Sequence, residues 1–301
     1  MREPSRTTWS TWRAGGPRDD GHGPIAVAAT LACLLEASAE KVGNVTPSRS
    51  FADARYEDFV VSGLAFGPAI EAAGRIGVGR AVFEAVRATR REVATNTNLG
   101  IALLFAPIAA AWSSPGRGSL RQRLARVLGR LTTEDAIFAY RAIALAQPGG
   151  LGRVAEADVR RRPSLTLREA MALAARRDAI AAEYAGDFHL TFDVALPALG
   201  KALHRGLGLL VAIVHAHLDV LARVPDTLIA RKAGVEEATS VSRRARDAMR
   251  KGGMLTRAGR AAAGRLDSVL RRDENRLNPG TSADLVAAAL FVWLLPPGRR
   301  A

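Results

Sequence analysis

A chain of 301 residues with 48% apolar side chains can bury one large core or two small ones. The apolar set is mostly Ala and Leu, with aromatics at only 5%, a mixture of strong helix formers that argues against a sheet-built fold. The net charge of +14, from 43 basic and 29 acidic residues, suits a polyanionic partner as well as it suits compositional bias toward Arg, and the single cysteine, Cys33, excludes an internal disulfide.

Residues 1–23 are polar and rich in Gly, Pro, Ser and Thr, the composition of a disordered tail. A helix is predicted from Pro24 to Lys41, followed by a loop, Val42–Ser50, and a second helix from Ala52 to Ala72. A third helix runs from Gly79 to Val93. The polar knot Thr95-Asn96-Thr97-Asn98 then opens an apolar helix, Leu99–Trp112, and Ser113–Gly118 is a turn. Helices follow at 119–129 and 133–146, the second opened by the capping box Thr132-x-x-Asp135. After a Gly-Pro loop at Gln147–Gly152, the box Thr166-x-x-Glu169 starts a helix expected to reach Glu183. An unbroken apolar pattern spans Phe192–Leu221. Next come a polar motif, Asp226–Gly234, and two basic helices to Asp273. A last helix, Thr281–Leu295, is stopped by Pro296 and Pro297.

No alternating stretch is long enough for a strand, and no fixed-period repeat occurs. The fold class is therefore all-α: one multi-helix globular domain over residues 24–297, with an active site between helix N-termini and loops. The longest apolar runs, Leu99–Trp112 and Leu285–Leu295, fall short of the roughly 20 residues that span a bilayer. The run Ile25–Leu35 follows a leader containing Asp19 and Asp20, which favours a core helix over a secretory signal. With Cys33 unpaired, the expectation is a cytoplasmic protein. Basic residues between Arg243 and Arg276 are interspersed with Asp247, Asp267, Asp273 and Glu274, as on solvated helix faces, which argues against nucleic acid.

Four short motifs carry the chemistry. The first combines Lys41 and a Gly43-Asn44 loop with Asp53, Glu57 and Asp58. The second, Thr95–Gly100, places Asn96, Thr97 and Asn98 at a helix mouth, where one such residue would suffice as a cap and where free N–H groups bind phosphate. The third, Pro225–Gly234, brings Asp226 within about one and a half turns of Arg231 and Lys232. The fourth, Asn278–Leu285, holds Ser282 and Asp284, and its Thr281-x-x-Asp284 spacing also reads as a capping box. Carboxylates, cations and amides together suit a polyphosphate substrate, and oxygen-only ligation favours Mg²⁺. There is no P-loop, no dinucleotide fingerprint and no nucleophile elbow. His215 and His217 stand two residues apart, on different helix faces, and do not chelate.

Taken in order, Lys41-x-Gly, Asp53…Glu57-Asp58-Phe59, Asn96-Thr97-x-x-Gly100, Asp226-Thr227…Arg231 and Pro279-Gly-x-Ser282-Ala-Asp284-Leu resemble the triphosphoribosyl-dephospho-CoA synthase family over roughly residues 25–295. The chain departs from that pattern at Val42, Phe51, Leu99 and Lys232-Ala233, where the family has Pro, His, Lys and Gly-Gly, and in this it resembles members from methanogens and methylotrophic bacteria. The resemblance implies an all-α transferase that moves the triphosphoribosyl group of ATP onto a hydroxyl of 3′-dephospho-CoA, or of a related acceptor, and releases adenine.

On that reading Asp53 and Asp226 are the reacting carboxylates. Asp58 and Asp284 are the metal or orienting ligands. Lys41, Asn44, Asn96, Thr97, Asn98, Arg231, Lys232 and Ser282 bind substrate and phosphates. ATP and dephospho-CoA are the partners, and a homo-oligomer is compatible with it. Two other readings use the same residues differently: an all-α Mg²⁺-dependent hydrolase of a nucleotide or ADP-ribosyl bond, and a non-catalytic basic helical module for nucleic acid.

Overall fold

The computed structural model describes residues 23–149, 159 and 161–297. The tail expected over 1–23 therefore lies outside them, save for Gly23. The described residues fold into fifteen α-helices with no strand. They are α1 (Pro24–Ser38), α2 (Tyr56–Glu71), α3 (Ala73–Ile76), α4 (Val78–Glu92), α5 (Leu99–Ser113), α6 (Leu120–Leu128), α7 (Thr133–Ala146), α8 (Leu167–Ala174), α9 (Ala179–Ala185), α10 (Leu196–His204), α11 (Leu209–Arg223), α12 (Thr227–Ala233), α13 (Val235–Arg250), α14 (Arg257–Leu270) and α15 (Gly280–Leu294). A π-helical turn, Leu190–Ala195, leads into α10, and a short 3₁₀ turn, Gly253–Leu255, joins α13 to α14.

The starts of α7 and α8 lie where the capping boxes place them, with Asp135 N–H and Glu169 N–H donating to the hydroxyls of Thr132 and Thr166 at 3.2 and 3.3 Å. Two expected long helices are broken. The one foreseen to Glu183 is α8 and α9, because Asp178 accepts from Ile180 N–H and Ala181 N–H at 2.9 and 3.1 Å and restarts the helix as an N-cap. The pattern Phe192–Leu221 is interrupted between α10 and α11 at Gly206, whose φ of +84° ends a right-handed helix.

Helices α5 and α15 are apolar all round and form the centre, which is how a helix without a polar face reads. The rings of Phe105 and Phe291 stack there with centroids 4.3 Å apart. Helix α1 packs on α2 and α15, α4 on α2 and α7, and α11 on α13 and α15. Among the described residues no helix is long and apolar enough to cross a membrane. Because α5 and α15 are packed against each other, their first turns open on the same side of the core, and Asp284 on α15 abuts Gly100 on α5.

Candidate active site

A cavity of about 630 Å³ lies over those two first turns. Its wall includes Thr95–Ile101 from the start of α5, Asn278, Gly280, Thr281 and Asp284 from the start of α15, and Asp178, Ile180 and Ala181 from the start of α9. The N-terminal ends of two full-length helices are thus turned to one space, where the helix dipoles favour an anion, although Leu99 N–H and Ser282 N–H in those first turns are already taken by Asn96 and Asp226.

At the α5 end the polar side chains are anchored in the protein. Asn96 Oδ1 accepts the N–H of Leu99 at 3.2 Å. Thr97 and Ser62 share a hydroxyl–hydroxyl bond of 2.6 Å, and the Asn98 amide donates to Thr89 Oγ1 at 2.8 Å. The hydroxyls and amides noted in the sequence therefore fix the loop, and the helix start is what faces the cavity. Gly100 is required here: a Cβ would stand 2.0 Å from Asp284 Oδ2.

The acids divide into two kinds. Asp284 faces the cavity, and among the described residues no hydrogen-bond donor or ion-pair partner meets its carboxylate. Burial, then the charges of Glu36, Asp226 and Asp178, push its pKa well above the ordinary carboxylate range, against a smaller opposing effect from Arg231. The other acids are held. Glu36, also on the wall, pairs with Lys41 at 2.9 Å. Asp178 pairs with Arg231 while capping α9. Asp226 is saturated: Oδ1 accepts from Leu228 N–H and Ile229 N–H at 2.9 and 3.1 Å, and Oδ2 from Ser282 N–H and hydroxyl at 2.7 and 2.8 Å.

The mouth is basic. Arg177, Arg231 and Lys232 line it with Asn275 and the exposed Asp53, whose Oδ2 accepts from the Asn275 amide. Lys232 donates to the Asn275 carbonyl at 3.1 Å, and partial burial lowers its pKa. Asn44 reaches the wall from a loop pinned to α14, where Arg271 donates to its carbonyl at 2.6 Å. The neighbouring Gly43 N–H donates to Asp267 at 2.8 Å. Leu103, Ile143, Leu167, Ala170 and Met171 supply an apolar part of the cavity wall.

Four sequence expectations are corrected by this geometry. Lys41 is 1% exposed and stands behind the wall, its ammonium taken up by Glu36 and the Ala39 carbonyl, so it does not meet phosphate. Asp226 and Ser282 hold each other and the start of α12, which leaves Asp226 no lone pair to act as a base. Asp58 caps α2 by accepting Arg55 N–H at 2.8 Å and does not line the cavity. The capping box foreseen at Thr281-x-x-Asp284 does not form: Thr281 accepts from Thr227, and Asp284 turns inward.

Asp53, Asn44, Asn96, Thr97, Asn98, Arg231, Lys232 and Asp284 do come together around one space. Sequence reasoning missed Glu36, Arg177, Asp178 and Asn275, and named Asn278 only as the first residue of the fourth motif. Glu36 was embedded in an apolar helix pattern, and its one signal was the lysine five residues on. Among the described residues no three His, Cys, Asp or Glu side chains stand close enough to hold a metal ion by themselves.

Residues 23–301 match the family described as ATP:dephospho-CoA triphosphoribosyl transferase. Over 105 residues the chain is 35% identical to a candidate 2-(5''-triphosphoribosyl)-3'-dephosphocoenzyme-A synthase of Pseudomonas savastanoi pv. phaseolicola, a stretch that is 35% of each protein. Over 104 residues it is 33% identical to the 2-(5''-triphosphoribosyl)-3'-dephosphocoenzyme-A synthase of Klebsiella pneumoniae, covering 35% of this chain and 36% of that one. The match thus spans about a third of the length of these relatives. The crystal structure of a candidate triphosphoribosyl-dephospho-CoA synthase from Archaeoglobus fulgidus superposes with a TM-score of 0.58 at 23% identity, over 79% of this chain and 99% of that one, and bears on the fold alone.

Proposed function

The chain belongs to the ATP:dephospho-CoA triphosphoribosyl transferase family, and we propose that it transfers the 5-triphosphoribosyl group of ATP to a hydroxyl of 3′-dephospho-CoA with release of adenine. The observation that carries this reading is the single cavity in which the first turns of α5 and α15, a basic mouth and an unpaired buried carboxylate meet. The triphosphate binds Arg177, Arg231, Lys232 and the first turn of α5 through charge-assisted bonds. Adenine lies against the apolar part of the wall.

The residues present fit a Mg²⁺ ion that arrives with ATP. Asp284 is a carboxylate without a partner among the described residues, and Mg²⁺ characteristically takes one or two carboxylates together with substrate phosphates. Asp284 would hold it, and the bound ion would neutralise charge on the triphosphate. In the transfer itself the acceptor hydroxyl oxygen bonds to C1′ of the ribose, and the C1′–N9 bond breaks with its electron pair leaving on adenine. The hydroxyl proton passes to Asp53 at the mouth, and adenine takes up a proton at its ring nitrogen. Enclosure of the ribose away from bulk water protects the oxocarbenium-like state from hydrolysis. An ATP-dependent reaction and an unpaired cysteine suit a cytoplasmic setting.

The test is adenine release from ATP and Mg²⁺ with and without 3′-dephospho-CoA, with the product followed by mass. Release that needs the acceptor, with a product heavier by a triphosphoribosyl group, is expected. Release at equal rates without the acceptor would replace transfer by hydrolysis.

A further inference from the structure

Glu36 is 5% exposed yet forms part of the cavity wall. One of its carboxylate oxygens, Oε1, is fixed by Lys41 at 2.9 Å, and Lys41 also donates to the carbonyls of Glu36 and Ala39. The lysine thereby closes the end of α1 and holds the carboxylate in one orientation. Oε2 meets no donor among the described residues. Because Lys41 already balances the charge, the wall presents an acceptor without a net demand for a cation, and its complement is a neutral O–H donor. Asn278, which also lines the cavity, leaves its Oδ1 buried without a partner among the described residues. A phosphate oxygen, which offers no proton, is disfavoured beside Glu36 Oε2, whereas a sugar hydroxyl satisfies an acceptor of this kind. Enclosure selects the sugar: Glu36 is buried, and the reacting ribose must be shielded from water.

We propose that Glu36 binds a hydroxyl of the donor ribose through Oε2, and that Lys41 is the residue that positions it. This rests on the nucleotide reading of the cavity.

Calorimetric binding of ATP, 2′-deoxy-ATP, 3′-deoxy-ATP and inorganic tripolyphosphate, each with Mg²⁺, tests it on the full chain and on Glu36→Gln and Lys41→Met. The wild type is expected to prefer ATP over one of the deoxynucleotides by about ten- to a hundredfold, the size of one hydrogen bond to a charged group. Glu36→Gln should bring that ratio to within about threefold of unity, with tripolyphosphate affinity unchanged. Lys41→Met should lower the same ratio, which a merely structural lysine would not move. Should Lys41→Met fail to fold, the nearly isosteric Glu36→Gln decides alone. Equal binding of all three nucleotides by the wild type would overturn the proposal, as would a Glu36→Gln variant that weakens tripolyphosphate as much as ATP. Loss of dephospho-CoA affinity with the nucleotide ratio intact would assign the contact to the acceptor and overturn the ribose assignment. A wild type that binds neither nucleotide nor tripolyphosphate would overturn the proposed function itself.

Discussion

Asp226 holds Ser282 twice across 56 residues of sequence, accepting its main-chain N–H at 2.7 Å and its hydroxyl at 2.8 Å. With two more amides of α12 on the other oxygen, the carboxylate ties the start of α12 to the start of α15. Asp226→Asn replaces one acceptor by an NH₂ group facing N–H donors. It is expected to cost about 2–3 kcal/mol, as for a broken buried hydrogen-bond set, and to lower the Tm by several degrees. Activity per folded molecule should stay within a few-fold of wild type. A variant with unchanged Tm and no turnover would restore the reacting role that the sequence suggested.

Asp284 differs because no donor or ion-pair partner among the described residues meets its carboxylate, and Arg231 offsets its charge only in part. Its folded pKa lies well above the unfolded value of about 4, so the folded state binds the extra proton. The stability this proton gives is complete below the unfolded pKa and is lost as pH rises toward the folded one. Asp284→Asn is therefore expected to flatten the fall of Tm with rising pH in the ligand-free protein. It should also lower turnover by about a hundredfold or more. Melting curves from pH 5 to 9 without ATP, beside a turnover assay, check both. Parallel wild-type and variant curves would refute the charge argument.

Gly100 lets the two central helices share this carboxylate. An alanine there would drive its Cβ to 2.0 Å from Asp284 Oδ2 and 2.7 Å from Ile180 Cδ1. Gly100→Ala should cost about 1–3 kcal/mol through overpacking, and should remove ATP binding as Asp284 is displaced across the cavity. Calorimetry with ATP and Mg²⁺ is the check, and wild-type affinity would contradict the close approach.

What was legible in the sequence follows from range. Capping boxes act over three residues, so Thr132 and Thr166 placed α7 and α8 correctly. The apolar runs of α5 and α15 were legible as helices too short to span a bilayer, but not as the packed centre they form. Asp178 was hidden because the residues around it keep a helical pattern, and an aspartate that restarts a helix has the same neighbours as one exposed in its middle. Asp284 shows the converse: the spacing of a capping box and the spacing of an inward carboxylate are identical, and only the packing of α15 on α5 decides between them. Lys41 and Asp226 were picked out as charged members of short polar motifs. That signal does not distinguish a group facing substrate from one bonded behind the wall, and the structure puts both behind it.

His217 sets the acid limit of the fold. It is fully buried on α11, its Nε2 meets the Asn44 amide at 3.3 Å, and its Nδ1 has no partner among the described residues. Burial, and then the Lys41 charge, lower its pKa to about 3. For a histidine with a depressed folded pKa, stability is complete above the unfolded value of about 6.5 and is lost as pH falls toward the folded one, because the unfolded chain takes up the proton first. At pH 4 the loss is about 3 kcal/mol. The expected consequence is a wild type whose denaturation midpoint drops steeply between pH 6.5 and 4. His217→Gln, which keeps a donor and an acceptor but does not titrate, should lack that part of the slope even if it is less stable at pH 7. Since Asn44 belongs to the loop that follows Lys41, acid should loosen the cavity wall before the rest of the domain, visible as earlier amide exchange at residues 41–46 than in α5. Parallel acid-denaturation profiles for the two proteins would show that His217 does not govern this range.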